Sequence, residues 1–81
     1  MIRLIIRTHG SKWWLCDNQF HRVNGPAIVY DTGSLAWHNH GKLHRLDGPA
    51  VINQHGTNQY WINDRPVSEY EHMFLTTGTY D

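Results

Sequence analysis

The chain has few of the features that announce an activity directly. One cysteine, Cys16, occurs in 81 residues, so no disulfide can form within the chain. A lone thiol, with nothing resembling a secretory signal at the start, leads us to expect a reducing cytoplasm. Long apolar runs are missing as well: the opening MIRLIIR is broken by Arg3 and Arg7 and is far too short to cross a bilayer. Nor is there an excess of either charge. Seven Lys and Arg balance seven Asp and Glu, which excludes the basic footprint that drives non-specific nucleic-acid binding and equally excludes an acidic mimic of DNA. The length suits one small domain, below the size at which a single core is comfortably stable, so aromatic packing, tight turns or self-association must help. What the chain has in quantity is seven histidines and four tryptophans. Protonating several of those histidines near pH ~6 would make the protein cationic.

The phrase HRVNGPA, residues 21 to 27, returns as HRLDGPA, residues 44 to 50. His21 and His44 stand 23 positions apart, as do Arg22 and Arg45, Gly25 and Gly48, Pro26 and Pro49, and Ala27 and Ala50. The same offset joins Gly10 to Gly33 and Gly56, and Trp14 to Trp37 and Tyr60. So many coincidences at one spacing define a repeat. The single domain, 1–81, therefore divides into units over about 2–24, 25–47 and 48–68, with a C-terminal cap over about 69–76.

Each unit reads as a β-hairpin. A short run rich in β-branched residues comes first: LIIRT at 4 to 8, AIVYD at 27 to 31, AVINQ at 50 to 54. THG, DTG and QHG then each place a glycine where a hairpin needs positive φ. The second strand follows in SKWWLC, SLAWHN and TNQYWI, before a further turn at DNQ, HGK and NDR. Alternation along the first strands puts Leu4, Ile6, Ala27, Val29, Ala50 and Ile52 together, all apolar and expected to face the core. Ile5, Arg7, Ile28, Tyr30, Val51 and Asn53 form the opposite set, expected to be partly solvated.

The third unit ends differently. VSEYEHM, residues 67 to 73, stands where HRxxGPA is due. Ser68 and Glu71 have capping-box spacing, and Tyr70, Met73 and Phe74 recur at helical spacing. This predicts a short helix from about Glu69 to Leu75, stopped near Thr76-Thr77-Gly78, as a terminal cap on the array.

The stretch WHNHGKLHRLDGPA, residues 37 to 50, resembles a MORN-like (membrane occupation and recognition nexus) repeat group found in hypothetical proteins of bacteriophages and bacteria. The likeness runs from about Ile2 to Ser68. It is best in the second unit; Asn18 and Asp64 replace the turn glycine found at Gly41. The resemblance implies a MORN-like antiparallel sheet of about three consecutive hairpins that mediates protein association, and it brings no catalytic residue.

Several candidate sites follow. The repeated His-Arg pairs could form a ladder for phosphate or an acidic partner. A residue that recurs at each joint serves what the joint needs, however, so His21, Arg22, Gly25, Pro26, His44, Arg45, Gly48 and Pro49 are read as structural joints, with arginine stacking on Trp14 or Trp37. The letters WHNH do not make an HNH nuclease, whose residues are dispersed over a longer unit. His38 and His40, two apart on one strand face, could chelate metal only with ligands from His21, His44 or Asp17, and Leu15 and Asp17 replace them in the first unit. No metal or cofactor is expected. Cys16 lacks a recognisable base or oxyanion site and reads as an inert thiol. Trp14, Trp37 and Tyr60 share one register, whereas Trp13 and Trp61 fall outside it.

The expectation is an all-β fold with a small C-terminal helix, acting as a non-enzymatic interaction module. Trp13, Trp61, Tyr30, His38 and His40 are its candidate partner-binding residues, since exposed tryptophans mark protein interfaces. The phage resemblance suggests a host protein as partner, modulated or inhibited in the host cytoplasm. Open sheet edges suggest a homodimer. Membrane binding is not expected. A binder of single-stranded nucleic acid through sheet aromatics and a histidine-dependent metal hydrolase remain the alternatives.

Overall fold

Three positions that recur in each unit break the extended chain, and they set the whole layout. Gly10, Gly33 and Gly56 have φ of 101°, 97° and 85°, a region open to glycine and closed to most side chains. Further on, Asp17-Asn18, His40-Gly41 and Asn63-Asp64 each place two successive residues at positive φ, the geometry of a type I′ hairpin turn. Asn and Asp tolerate this left-handed conformation better than other non-glycine residues, which is how Asn18 and Asp64 stand in for Gly41.

The computed structural model describes residues 1–77. In chain order it contains β1 (Ile2–Ile6), β2 (Lys12–Cys16), β3 (Gln19–Phe20), β4 (Ile28–Val29), β5 (Leu35–Ala36), β6 (His38–Asn39), β7 (Lys42–Leu43), β8 (Val51–Ile52), β9 (Asn58–Ile62), β10 (Arg65–Val67) and α1 (Glu69–Thr77). The fold is all-β with one small C-terminal helix. Each unit carries one strand more than a simple hairpin: after the second turn, β3, β7 and β10 fold back onto the strand before them.

All pairings are antiparallel, in the order β1-β2-β4-β5-β8-β9-β10, with β3 on β2 and β6-β7 as a separate ribbon. The second strand of a unit divides its partners. Lys12 and Trp13 pair with Val29 and Ile28 of the next unit, while Leu15 and Cys16 pair with Phe20 and Gln19 of their own. In the second unit the same division interrupts the strand at Trp37, leaving β5 to pair with β8 and β6 with β7. The array spans 48 × 30 × 18 Å, and the shortest dimension is that of a thin sheet with side chains on both faces.

Ala27 and Ala50 are fully buried, and Ile28 and Ala36 nearly so. Trp14 N–H donates to the Ala27 carbonyl at 2.8 Å and Trp37 N–H to the Ala50 carbonyl at 2.7 Å, so each alanine opens a unit directly against the tryptophan strand of the unit before. Two members of the expected core set are corrected: Leu4 is 51% and Ile6 64% exposed. Their equivalents Ala27 and Val29 have a preceding unit alongside, and β1 has β2 as its one neighbour among the described residues. The opposite set is corrected too. Ile5, Trp13, Ile28, Ala36, Val51 and Gln59 stand directly opposite one another across the sheet, and this row contains the buried Ile28 and Ala36. Both faces of the sheet therefore contribute to the core.

The helix begins as its sequence signature requires. Ser68 Oγ accepts the Glu71 N–H at 3.0 Å, and Glu69 and Glu71 lie in the first turn, where acidic groups suit the helix dipole. It extends to Thr77; the expected stop at Gly78 lies outside the described residues.

An alanine at each joint leaves no room for a larger side chain. Ala50→Leu should destabilise the protein by about 1–3 kcal/mol through overpacking, seen as a lower midpoint in thermal unfolding; an unchanged midpoint would contradict this packing.

Candidate functional site

The two joints repeat the same arginine contacts. Arg22 lies over Trp14 and Arg45 over Trp37, each with its guanidinium carbon 3.8 Å from the ring centroid. Arg22 Nη1 donates to the Pro26 carbonyl at 3.2 Å, and Arg45 Nη1 to the Pro49 carbonyl at 3.1 Å. Glycine follows from this geometry: a Cβ on Gly25 or Gly48 would fall 2.9 or 2.8 Å from the guanidinium carbon, inside contact distance. The guanidinium is thus held between an indole face and a bare glycine Cα. Asp47 adds a carboxylate to Arg45 Nε at 2.9 Å, and Arg45 holds that carboxyl below the usual range.

The histidines of the same phrase have a different task. His21 Nδ1 accepts the N–H of His40 at 3.0 Å, and His44 Nδ1 accepts the N–H of Asn63 at 3.1 Å. Each ring therefore fastens the second turn of the following unit, using the lone pair of a neutral imidazole. The His21 ring also stacks on His40, centroids 4.0 Å apart and planes 17° from parallel. Burial first, and the neighbouring His40 second, hold the His21 pKa below its ordinary value.

Among the described residues no arginine lies over the aromatic of the third unit. His72, buried on α1, packs its ring 4.8 Å from Tyr60 and reaches the Arg45 carbonyl with Nε2 at 2.7 Å. Tyr60 O–H donates to Glu69 at 3.1 Å. A helix side chain thus takes the place that the joint arginine occupies in the other units.

Phe20 bridges two of the five nominated contact residues, Trp13 and His38. Trp13 is half-buried, edge-on to Phe20 at 5.6 Å with Arg7 4.6 Å from its ring centroid. Phe20 also meets His38 at 5.4 Å. His38 Nδ1 is buried without a hydrogen-bond partner among the described residues, and burial lowers the His38 pKa against the opposing pull of the Asp64 charge and then of the Ala36 backbone. His40 corrects the sequence reading: with φ of 48° it occupies a turn, so it does not share a strand face with His38. Tyr30 sits just past β4 at the hairpin end, and Trp61 is half-buried on β9. Trp13 and Trp61 do lie on the face opposite Trp14 and Tyr60, as strand alternation requires. No group of three or more His, Cys, Asp or Glu side chains converges as a metal site among the described residues. Cys16 is a free, half-buried thiol.

An apolar recess lies elsewhere. Between the second joint and α1 is an open groove of about 510 Å³, lined by residues that include Leu46, Asp47, Tyr60, Glu69, Tyr70 and Met73. A second groove, of about 570 Å³, runs past Trp61, Pro66 and Val67 and shares Tyr60 and Glu69 with the first. Leu46 was not picked out from the sequence, yet a signal was present: the variable place after His-Arg is apolar in both copies, and Val23 and Leu46 are 63% and 56% exposed. An interior joint has no use for an exposed aliphatic at that place.

No protein-family model matches the chain, and no curated protein and no solved structure is similar to it. Among the described residues no helix is long and apolar enough to cross a membrane.

Two outcomes follow from the joints. Arg45→Lys keeps the charge but loses the planar stack on Trp37, so it should cost about 1 kcal/mol and lower the melting midpoint by roughly 4–8 °C; an equal midpoint would show that the stack contributes nothing. His21 and His38 both lie below 6.5 in the folded state, so the unfolded chain takes up protons first as pH falls. Stability should be level above pH about 6.5 and decline below it. Thermal unfolding at about pH 7.5 and about pH 5.5 checks the sign, and His21→Gln should reduce the loss. A midpoint that rises on acidification would contradict it.

Proposed function

We propose that this chain is a non-enzymatic protein-interaction module, and that its principal contact surface is the pair of grooves meeting at Tyr60 and Glu69. The observation that carries this reading is the exposure of Leu46, Tyr70 and Met73, 56%, 62% and 54%, around one apolar recess whose rim holds Asp47 and Glu69. Large apolar side chains left in water around a concavity are characteristic of binding surfaces. The two carboxylates set the chemistry of the occupant: a protein segment presenting an aliphatic or aromatic anchor beside a lysine or arginine. Trp61, nominated from the sequence, remains a contact residue on the adjoining groove.

The resemblance to MORN-type arrays supports association as the task. Its bacteriophage group supports a host protein as partner, bound and modulated in the cytoplasm.

Tyr70→Ser and Leu46→Glu change exposed side chains, so the fold should persist by circular dichroism. With a partner identified by affinity capture from host lysate and then purified, either variant should weaken binding at least about tenfold, as hot-spot residues do; Trp61→Ala should weaken it as well. A purified partner that binds wild type and both groove variants equally would overturn this surface.

A further inference from the structure

The free edge of β1 presents, unfilled among the described residues, the contact that the array's own joints complete elsewhere. Arg7 N–H donates to the Ser11 carbonyl at 2.7 Å, and antiparallel alternation then turns the backbone groups of Arg3 and Ile5 toward β2 as well. Those of Ile2, Leu4 and Ile6 point outward. At the equivalent places in the second unit, the outward groups meet a strand: Ala27 accepts the Trp14 N–H, and Val29 pairs with Lys12. Nothing among the described residues pairs with β1 on that side. Ile2, Leu4 and Ile6 also carry exposed side chains, at 38%, 51% and 64%, so the same edge is unpaired and apolar.

We propose that this edge binds the β1 edge of a second copy, antiparallel and centred on Leu4, to give a two-fold dimer with a continuous sheet. The sequence of the strand selects the register. A two-fold axis perpendicular to the sheet must pass through a residue, because paired residues lie on the same face. Centred on Arg3, the two Arg3 side chains stand opposite each other. Centred on Ile5, each Arg3 opposes Arg7 of the second copy. Both place like charges directly across the pair, which is unfavourable. Centred on Leu4, Arg3 faces Ile5, and the other face becomes an unbroken apolar group of Ile2 on Ile6, Leu4 on Leu4, and Ile6 on Ile2. The second copy is therefore the occupant whose charge and apolar pattern fit this edge. A five-residue edge covers much less than the ~800 Å² per partner of a standard interface, so the dimer belongs to the weak, concentration-dependent class.

The test combines sedimentation with symmetric cross-linking. Wild type at about 100 μM to 1 mM should sediment as a monomer–dimer mixture and stop at the dimer. Leu4→Lys, at an exposed site, should keep the same circular dichroism and raise the dimer dissociation constant at least about tenfold. In a Cys16→Ser background, Leu4→Cys should oxidise to a disulfide-linked dimer, since opposed Cα atoms ~5.5 Å apart can be bridged. Ile6→Cys should not, because residue 6 opposes residue 2. A monomer at every concentration overturns the proposal. So does growth beyond the dimer, which would indicate head-to-tail stacking, or linkage at Ile6 in preference to Leu4.

Discussion

The guanidinium of each joint arginine has to satisfy an indole face, a proline carbonyl and a glycine at once, and most of the architecture follows from that requirement. Arg22 over Trp14 and Arg45 over Trp37, both at 3.8 Å, close a loop of five residues back onto the carbonyls of Pro26 and Pro49. The chain then leaves the loop at a fixed place and direction. The next residue, Ala27 or Ala50, hydrogen-bonds to the same tryptophan that carries the arginine. One aromatic side chain thus anchors the loop through its ring and the following unit through its backbone. Among the described residues the fully buried side chains are no larger than alanine, so such repeated local clamps must supply much of what a deep core supplies in larger domains.

The fold was legible because a repeat converts weak signals into strong ones. One glycine in a turn is ambiguous; Gly10, Gly33 and Gly56 at equal spacing are not. The Ser68–Glu71 pair marked the helix start because it appears where the repeat phrase fails. What the letters did not reveal was the third strand of each unit, since Gln19-Phe20 and Lys42-Leu43 are too short to show a period. The facing of β1 was also hidden. Leu4 and Ile6 have the alternation of a core strand, and alternation says which residues share a face, not whether anything covers it.

The candidate site was less legible for a related reason. Aromatic residues were sought as contact points, and Trp13, half-buried, also packs against Phe20 and Arg7. His38 and His40 looked paired because a strand was assumed through residue 40, where a positive φ makes a turn. In contrast, Leu46 sits in the most recognisable phrase of the chain and drew no notice there, because the phrase's function lies in its neighbours. Tyr70 and Met73 were visible as helix-face residues, but only the way α1 packs against β9 shows that they border a groove.

In a short array the interior and the ends face different constraints. Inside, each unit covers its neighbour, and side chains at the joints shrink to alanine and glycine to let backbones approach. At the ends that pressure is absent, so larger residues reappear: leucine at position 4 where the inner units have Ala27 and Ala50, and a helix with Tyr70 and Met73 where a fourth joint would stand. The repeat is thus a scaffold that consumes its own repeated letters in holding itself together. Surface free for other molecules collects where the repetition gives way, among the described residues at the β1 edge and beside α1.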